Sequence, residues 1–250
     1  MYVRGMSGTA LQAAIAGLRA AYEQVVACDL DLLTRHELVA ALDEFETLSC
    51  QLPALGQRLL ARLRCETTPA QMGAHSWKEV LRVRYRISTR EANRRLTEAE
   101  LLAPRQAVTG PSLPPALAAT AAAQAHGLIN AEHVEVIRKS ITKLPGWVDT
   151  ATREQFELDL VRTAVKVGPK ELTDAAELTL FLLDQDGPAP SDVDRARKRG
   201  ITKSPQGPDG MVGLRAMLTP EAWAVWEAIF AKYAAPGMCN PDDAQPCTSG

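Results

Sequence analysis

Apolar residues recur at three- and four-residue intervals along most of this chain, the period of one helix face, and the breaks between these runs mark out the elements. Leu11, Ile15, Leu18 and Tyr22 predict a helix over Gly8–Ala27. A longer helix, capped by Asp31 or Thr34, carries Leu38, Leu42, Phe45, Leu48, Leu52, Leu55, Leu59 and Leu63. That spacing is close to a heptad seam, so the second helix is expected to pack on the first as a core hairpin, and it would also suit a partner coiled coil. Pro53 should kink or split it. After a break at Thr67–Gly73, Trp77, Val80, Leu81 and Tyr85 form the inward face of a third helix. Ser88 opens a fourth, with Glu91 three residues on to complete a capping box. Its apolar stripe is Ala92, Leu96, Ala99 and Leu102 or Ala103.

A loop at Thr109-Gly110-Pro111 leads into a second helix, turn, helix. The first of these helices stops at Gly127, and Asn130 caps the next, with Val134, Ile137 and Ile141 inward. Asp149 or Thr150 starts a helix to about Lys166, with Phe156, Leu160 and Val161 inward; Glu171–Asp184 follows the Gly168-Pro169 break. Beyond Gly187–Pro190 the pattern changes. Gly200–Lys203 and Met211–Arg215 flank the turn Pro208-Asp209-Gly210 and predict a β-hairpin. Thr219-Pro220-Glu221 starts a helix to about Ala234, whose Trp223, Trp226, Ile229, Phe230 and Tyr233 are expected to form a core against that hairpin. The expected fold is mainly α, a multi-helix bundle with helix-turn-helix-like units plus one small C-terminal β-hairpin. A helical domain covers 1–186. A basic segment, hairpin and helix over 187–235 pack on it, and 236–250 form a disordered tail.

Composition sharpens this reading. The 250 residues are 46% hydrophobic but only 5% aromatic, which favours helix packing over a β-sandwich. The net charge of −2 excludes a uniformly basic nucleic-acid coat, so any such contact must come from local patches. One patch spans 76–105, where Arg82, Arg84, Arg86, Arg90, Arg94 and Arg95 outweigh the acids. Arg90, Arg94 and Arg95 fall mostly opposite the apolar stripe of the fourth helix. A second patch is Arg195, Arg197, Lys198 and Arg199. A helix-turn-helix lays its second helix in the major groove with basic side chains outward, so these ten residues are the candidate nucleic-acid-binding set. The alternative is a pair of solvated amphipathic helices.

Catalytic signals are missing. His36, His75, His126 and His133 show no metal-ligand spacing. Cys239 and Cys247 enclose Asp242 and Asp243 but fit no zinc knuckle. Gly207–Gly210 has the form of a GxxG loop but lies between strand-like runs, so it reads as a turn. There is no phosphate-binding loop, dinucleotide fingerprint or nucleophile elbow. No catalytic residue, metal site or cofactor is expected, and the chain is not read as an enzyme. The odd, scattered cysteines and the lack of a secretory start or an apolar span predict a cytoplasmic protein with no membrane partner. DNA is the candidate partner, and the oligomeric state is left open.

Three stretches carry a family resemblance: ISTREANRRLTEAELLAPRQAVTG (87–110), GPSLPPALAATAAAQAHGLINAEHVEVIRK (110–139) and DVDRARKRGITKSPQGPDGMVGLRAMLTPEAWAVWEAIFAKYAAPGMCNPDD (192–243). They resemble the 13E12-repeat proteins, whose long N-terminal portion is a domain of unknown function, family 222. The resemblance runs from about Thr34 to the end. It implies that full-length relatives continue into an HNH endonuclease module with metal-binding histidines and, often, zinc-binding cysteines. That module is not in this sequence, so no catalytic residue carries over. The implied role is the DNA-engaging or positioning part of a mobile-element nuclease-type protein, here as a truncated member. The alternatives are a protein-interaction module using Leu38–Leu63 as a docking surface, and a remnant of an interrupted reading frame.

Overall fold

Helix boundaries follow the capping chemistry written into the chain. The computed structural model describes residues 8–107, 111–185 and 192–233, which divide into two compact units at residues 185 and 186. In the first unit α1 is Gly8–Val26 and α2 is Arg35–Glu66. Thr34 caps α2 by accepting from the Glu37 amide, while the Glu37 carboxylate accepts from the Thr34 amide at 2.8 Å. Pro53 does not split α2; the helix runs unbroken for 32 residues, forgoing one amide donor.

The rest of the unit is α3 (Trp77–Tyr85), α4 (Thr89–Leu102), α5 (Ala118–Ala125), α6 (Ala131–Lys143), α7 (Thr150–Ala164) and α8 (Pro169–Gln185). Asn130 and Asp149 cap α6 and α7 as expected. Helix α6 packs between α7 and α8, α5 packs on α7, and α2 lies against α4 and α5. Ile129, Val134, Ile137, Phe156, Leu160 and Leu172 fill the centre, each almost free of solvent. Gly127 ends the α5 segment at φ +75, and a Cβ there would stand 2.7 Å from Thr47 Cγ2 and 2.8 Å from the Thr47 carbonyl oxygen. Only glycine permits both that φ and that approach of α2.

Helix α2 departs from expectation in one important respect. Its inward face toward α4 and α5 carries Cys50 and Gln57, and its apolar stripe lies on the opposite, solvent side. Leu42, Phe45, Leu48 and Leu52 remain 66%, 58%, 53% and 52% exposed. Helix α1 does not cover them, and it buries no residue of its own. Of its apolar stripe, Leu11 shares a cavity of about 400 Å³ with Leu55 and Leu59 of α2. The expected α1–α2 core hairpin is therefore not formed. Periodicity identified an apolar face, and the polar neighbours Gln57, Glu98 and Gln124 drew the other face inward.

The second unit holds α9 (Asp192–Lys198), β1 (Gly200–Lys203), β2 (Leu214–Met217) and α10 (Pro220–Tyr233). The strands pair antiparallel, Gly200 opposite Met217 and Lys203 opposite Leu214. The second strand starts three residues later than the sequence suggested, because Ser204 Oγ accepts from the Gly213 amide and widens the connection. Thr219 caps α10 through the Ala222 amide. The expected aromatic core does not form, since α10 has no buried residue and Trp226 and Phe230 are 38% and 46% exposed. A ribbon of two four-residue strands offers too little surface to cover them. Instead the rings stack along the helix, Trp226 on Phe230 at 5.5 Å between centroids. The tail expected at 236–250 lies outside the described residues.

Among the described residues no helix is long and apolar enough to cross a membrane.

Candidate nucleic-acid interface

The α3–α4 pair is built by two serine caps and a short turn. Ser76 Oγ accepts from the Glu79 amide and starts α3, which is anchored by buried Val80 and Leu81. The chain reverses at Arg86, the one non-glycine residue at positive φ among those described (φ 55, ψ 39). Such a conformation is costly for a residue with a Cβ and is a pointer to functional use. Ser88 Oγ then accepts from the Glu91 amide, and α4 buries Ala92, Ala99 and Leu102.

The six arginines of this pair divide into two groups. Arg82, Arg84 and Arg86 are exposed and have no acidic partner among the described residues. Arg90 is nearly free as well, its side chain 89% exposed and 4.0 Å from Glu135. Tyr85, expected inward, stands 51% exposed among them.

Arg94 is different. Its Nε and Nη2 donate to Glu91 at 2.8 and 2.7 Å, and its Nη1 donates to both oxygens of Glu98 at 2.8 and 3.0 Å. Arg95 donates to Glu91 at 2.7 Å. The Arg94 hydrogen bonds, helped by Arg95, overcome partial burial and pull the Glu91 carboxyl down to about 2. Glu91 is thereby diverted from the capping box, and Arg94 is held firmly charged by the same bonds. Glu98 is 2% exposed and also accepts from Gln57 Nε2 at 3.3 Å, which in turn donates to Gln124 at 3.0 Å. Arg94 thus clamps a buried polar junction of α2, α4 and α5. The expectation that it points away from the packed face is overturned. The cause is visible in the spacing, with acids at i−3 and i+4 on the same helix.

Between α4 and α6 lies a polar cleft of about 710 Å³, lined by Thr89, Arg90, Asn93 and Thr97 from α4 and by Glu135 and Arg138 from α6. Lys139 first, then Arg90 and Arg138, hold the Glu135 carboxyl below its usual range. The Nε of Arg138 is buried with no hydrogen-bond partner among the described residues. The sequence reading missed Asn93, Thr97, Glu135 and Arg138. Thr89, Asn93 and Thr97 carry a signal, since they are four residues apart on one face of α4, whereas Arg138 joins only through the tertiary fold.

In the second unit Arg195, Arg197, Lys198 and Arg199 are exposed on and just after α9, an element with no periodic signature in the sequence. Arg195 has a weak partner in Asp192 at 3.5 Å. His133 is structural, its Nδ1 at 2.8 Å from Asn130 Oδ1 and its Nε2 at 2.9 Å from the Val167 carbonyl. Among the described residues no cluster of His, Cys, Asp and Glu is placed to hold a metal ion; Cys239 and Cys247 lie outside them.

The chain is similar to mycobacterial proteins. An uncharacterized protein of Mycobacterium tuberculosis is 43% identical over 237 residues, covering 95% of this chain and 56% of the relative. A second from the same species is 41% identical over 238 residues, with 95% and 52% covered. One from Mycobacterium bovis is 39% identical over 236 residues, with 94% and 52% covered. The chain spans about half the length of these curated relatives. No solved structure matches it. Residues 39–249 match the domain of unknown function DUF222, and the chain belongs to that family.

Proposed function

We propose that this chain is the DNA-engaging or positioning part of a mobile-element protein of the HNH-nuclease-associated 13E12-repeat type, acting in the cytoplasm without catalytic activity of its own. The observation that carries the reading is the state of Arg82, Arg84 and Arg86. They are exposed and, among the described residues, free of acids, on a helix and turn that lead into the cleft at the start of α4. Unpaired guanidinium groups can neutralise backbone phosphates and release counterions, whereas Arg94 and Arg95 already spend their charge on carboxylates. Arg90 and Asn93 supply the donor and acceptor types that read base edges.

Labelled duplex DNA titrated at low salt tests this reading. Arg82→Ala/Arg84→Ala/Arg86→Ala should bind at least tenfold more weakly than wild type. Arg195→Ala/Arg197→Ala/Arg199→Ala reports separately on the second basic cluster. Equal binding by wild type and the first triple variant, or no binding by wild type, would sink the proposal. Plasmid incubated with Mg²⁺, Mn²⁺ or Zn²⁺ should stay intact; nicking that disappears with a single substitution in this chain would contradict the non-catalytic assignment.

A further inference from the structure

We infer that the outer apolar stripe of α2 is a self-association surface on which a second copy of this chain packs with its α2 antiparallel. The inference is independent of the DNA reading. From Leu38 to Leu59 the stripe runs about 32 Å at 1.5 Å per residue; Leu38 to Leu52 lie on the side of α2 facing away from α4 and α5, and Leu55 and Leu59 stay 39% and 43% exposed beside the cavity they share with Leu11 and Ala103.

Area is the first argument. The seven stripe residues of α2, Leu38, Leu42, Phe45, Leu48, Leu52, Leu55 and Leu59, stay 37–66% exposed. Together they offer on the order of 600 Å² per chain, the size of a weak, concentration-dependent interface rather than the roughly 800 Å² per partner of a standard one. The largest patch on an ordinary monomer is about 300–600 Å² and is often functional.

The choice of a second copy comes from how α2 complements itself. Its N-terminal half carries Glu37, Asp43, Glu44 and Glu46 against Arg35, a net −3, and its C-terminal half carries Arg58, Arg62 and Arg64 against Glu66, which pairs with Arg62, a net +2. Antiparallel pairing sets the acidic half of each copy beside the basic half of the other, whereas parallel pairing stacks like charges. A two-fold axis near position 50 makes every contact recur with the roles exchanged. Leu42 then meets Leu59, and Leu48 meets Leu52. Phe45, 58% exposed, meets Gly56. A Cβ on Gly56 would touch nothing within 4 Å among the described residues, so the glycine leaves an open notch on the outer face. A ring on one helix facing a notch on its mate is knob-into-hole packing.

Sedimentation equilibrium of the full 250-residue chain over a wide concentration range, with a reductant to keep Cys28 and Cys65 from crosslinking, decides the matter. Wild type should fit a dimer, and raised NaCl should weaken it. Leu48→Glu/Leu52→Glu should be monomeric, or weaker by at least a hundredfold, with unchanged helicity. Gly56→Arg tests the notch: it removes a glycine from a helix interior without touching the fold, yet places a bulky charge against Phe45, so it should also dissociate the dimer. A wild type that is monomeric at every concentration would overturn the inference. So would Gly56→Arg dimerising as tightly as wild type. A monomeric wild type whose melting midpoint falls in Leu48→Glu/Leu52→Glu would show that the stripe is covered from within the chain, which also overturns it.

Discussion

Replacing Arg94 by alanine is expected to destabilise the first unit by about 2–4 kcal/mol, more than any other single arginine of the basic segment. The magnitude follows from what is left behind. The Glu98 side chain is 3% exposed and would lose both Nη1 bonds, keeping only Gln57 at 3.3 Å. Removing one partner of a buried pair typically costs about 3–5 kcal/mol because the other charge stays uncompensated. The Arg94 side chain is itself 29% exposed, so water reaches the pair and lowers the figure. Urea unfolding followed by far-UV circular dichroism measures the loss, with the denaturant slope checked for constancy. Two companions separate this cause from simple truncation. In Arg94→Ala/Glu98→Gln the buried charge is gone, so at least half of the loss should return. Arg95→Ala removes a side chain that is 44% exposed with a single partner, and should cost about 0.5 kcal/mol. An Arg94→Ala loss below about 0.5 kcal/mol, or no recovery in the double variant, would refute the clamp.

Glu91 gives a pH signature. Its folded carboxyl lies at about 2, below the usual 4.5, so its contribution is full above about pH 4.5 and disappears as pH falls toward 2. By linkage this is worth up to about 3 kcal/mol, and screening of a side chain that is 28% exposed reduces it to roughly 1–2 kcal/mol. Glu91→Gln should flatten the urea midpoint over that window, and an unchanged pH profile would contradict the assignment. Gly127→Ala should cost about 2 kcal/mol or more, since alanine meets both the positive φ and Thr47; a change under about 0.5 kcal/mol in the same assay would mean α2 can retreat. Trp226→Ala should cost about 1 kcal/mol or less, because the ring is half open and loses chiefly its contact with Phe230; a loss of about 3 kcal/mol would restore the buried aromatic core.

Local chemistry was the legible part of the fold. Thr34, Ser88, Asn130, Asp149 and Thr219 each accept the helix-start amide expected of them, and Gly127 takes the positive φ of a helix end. These signals act within four residues, so they survive any tertiary arrangement. The direction of the α2 stripe was not legible, because a 3.6-residue period marks an apolar face without saying what covers it. The buried junction of Gln57, Glu98 and Gln124 joins residues 41 and 67 positions apart, and no local pattern announces it. Arg94 could have been found. Its acids at i−3 and i+4 are a helix-pair signal that was outweighed by reading the basic residues as one charged face. The same four-residue logic picks out Thr89, Asn93 and Thr97, while Arg138 enters the cleft only because α6 packs beside α4.

The salt dependence of DNA binding tests the central claim most directly. If Arg82, Arg84, Arg86 and Arg90 meet phosphates, log affinity should fall against log salt concentration with a slope of roughly −3.6. Arg82→Ala/Arg84→Ala/Arg86→Ala should bring that slope to about −0.9, whereas Arg95→Ala should leave it within about half a unit of wild type. A wild-type slope near zero, or one that the triple variant leaves unchanged, would contradict the assignment of these arginines to DNA.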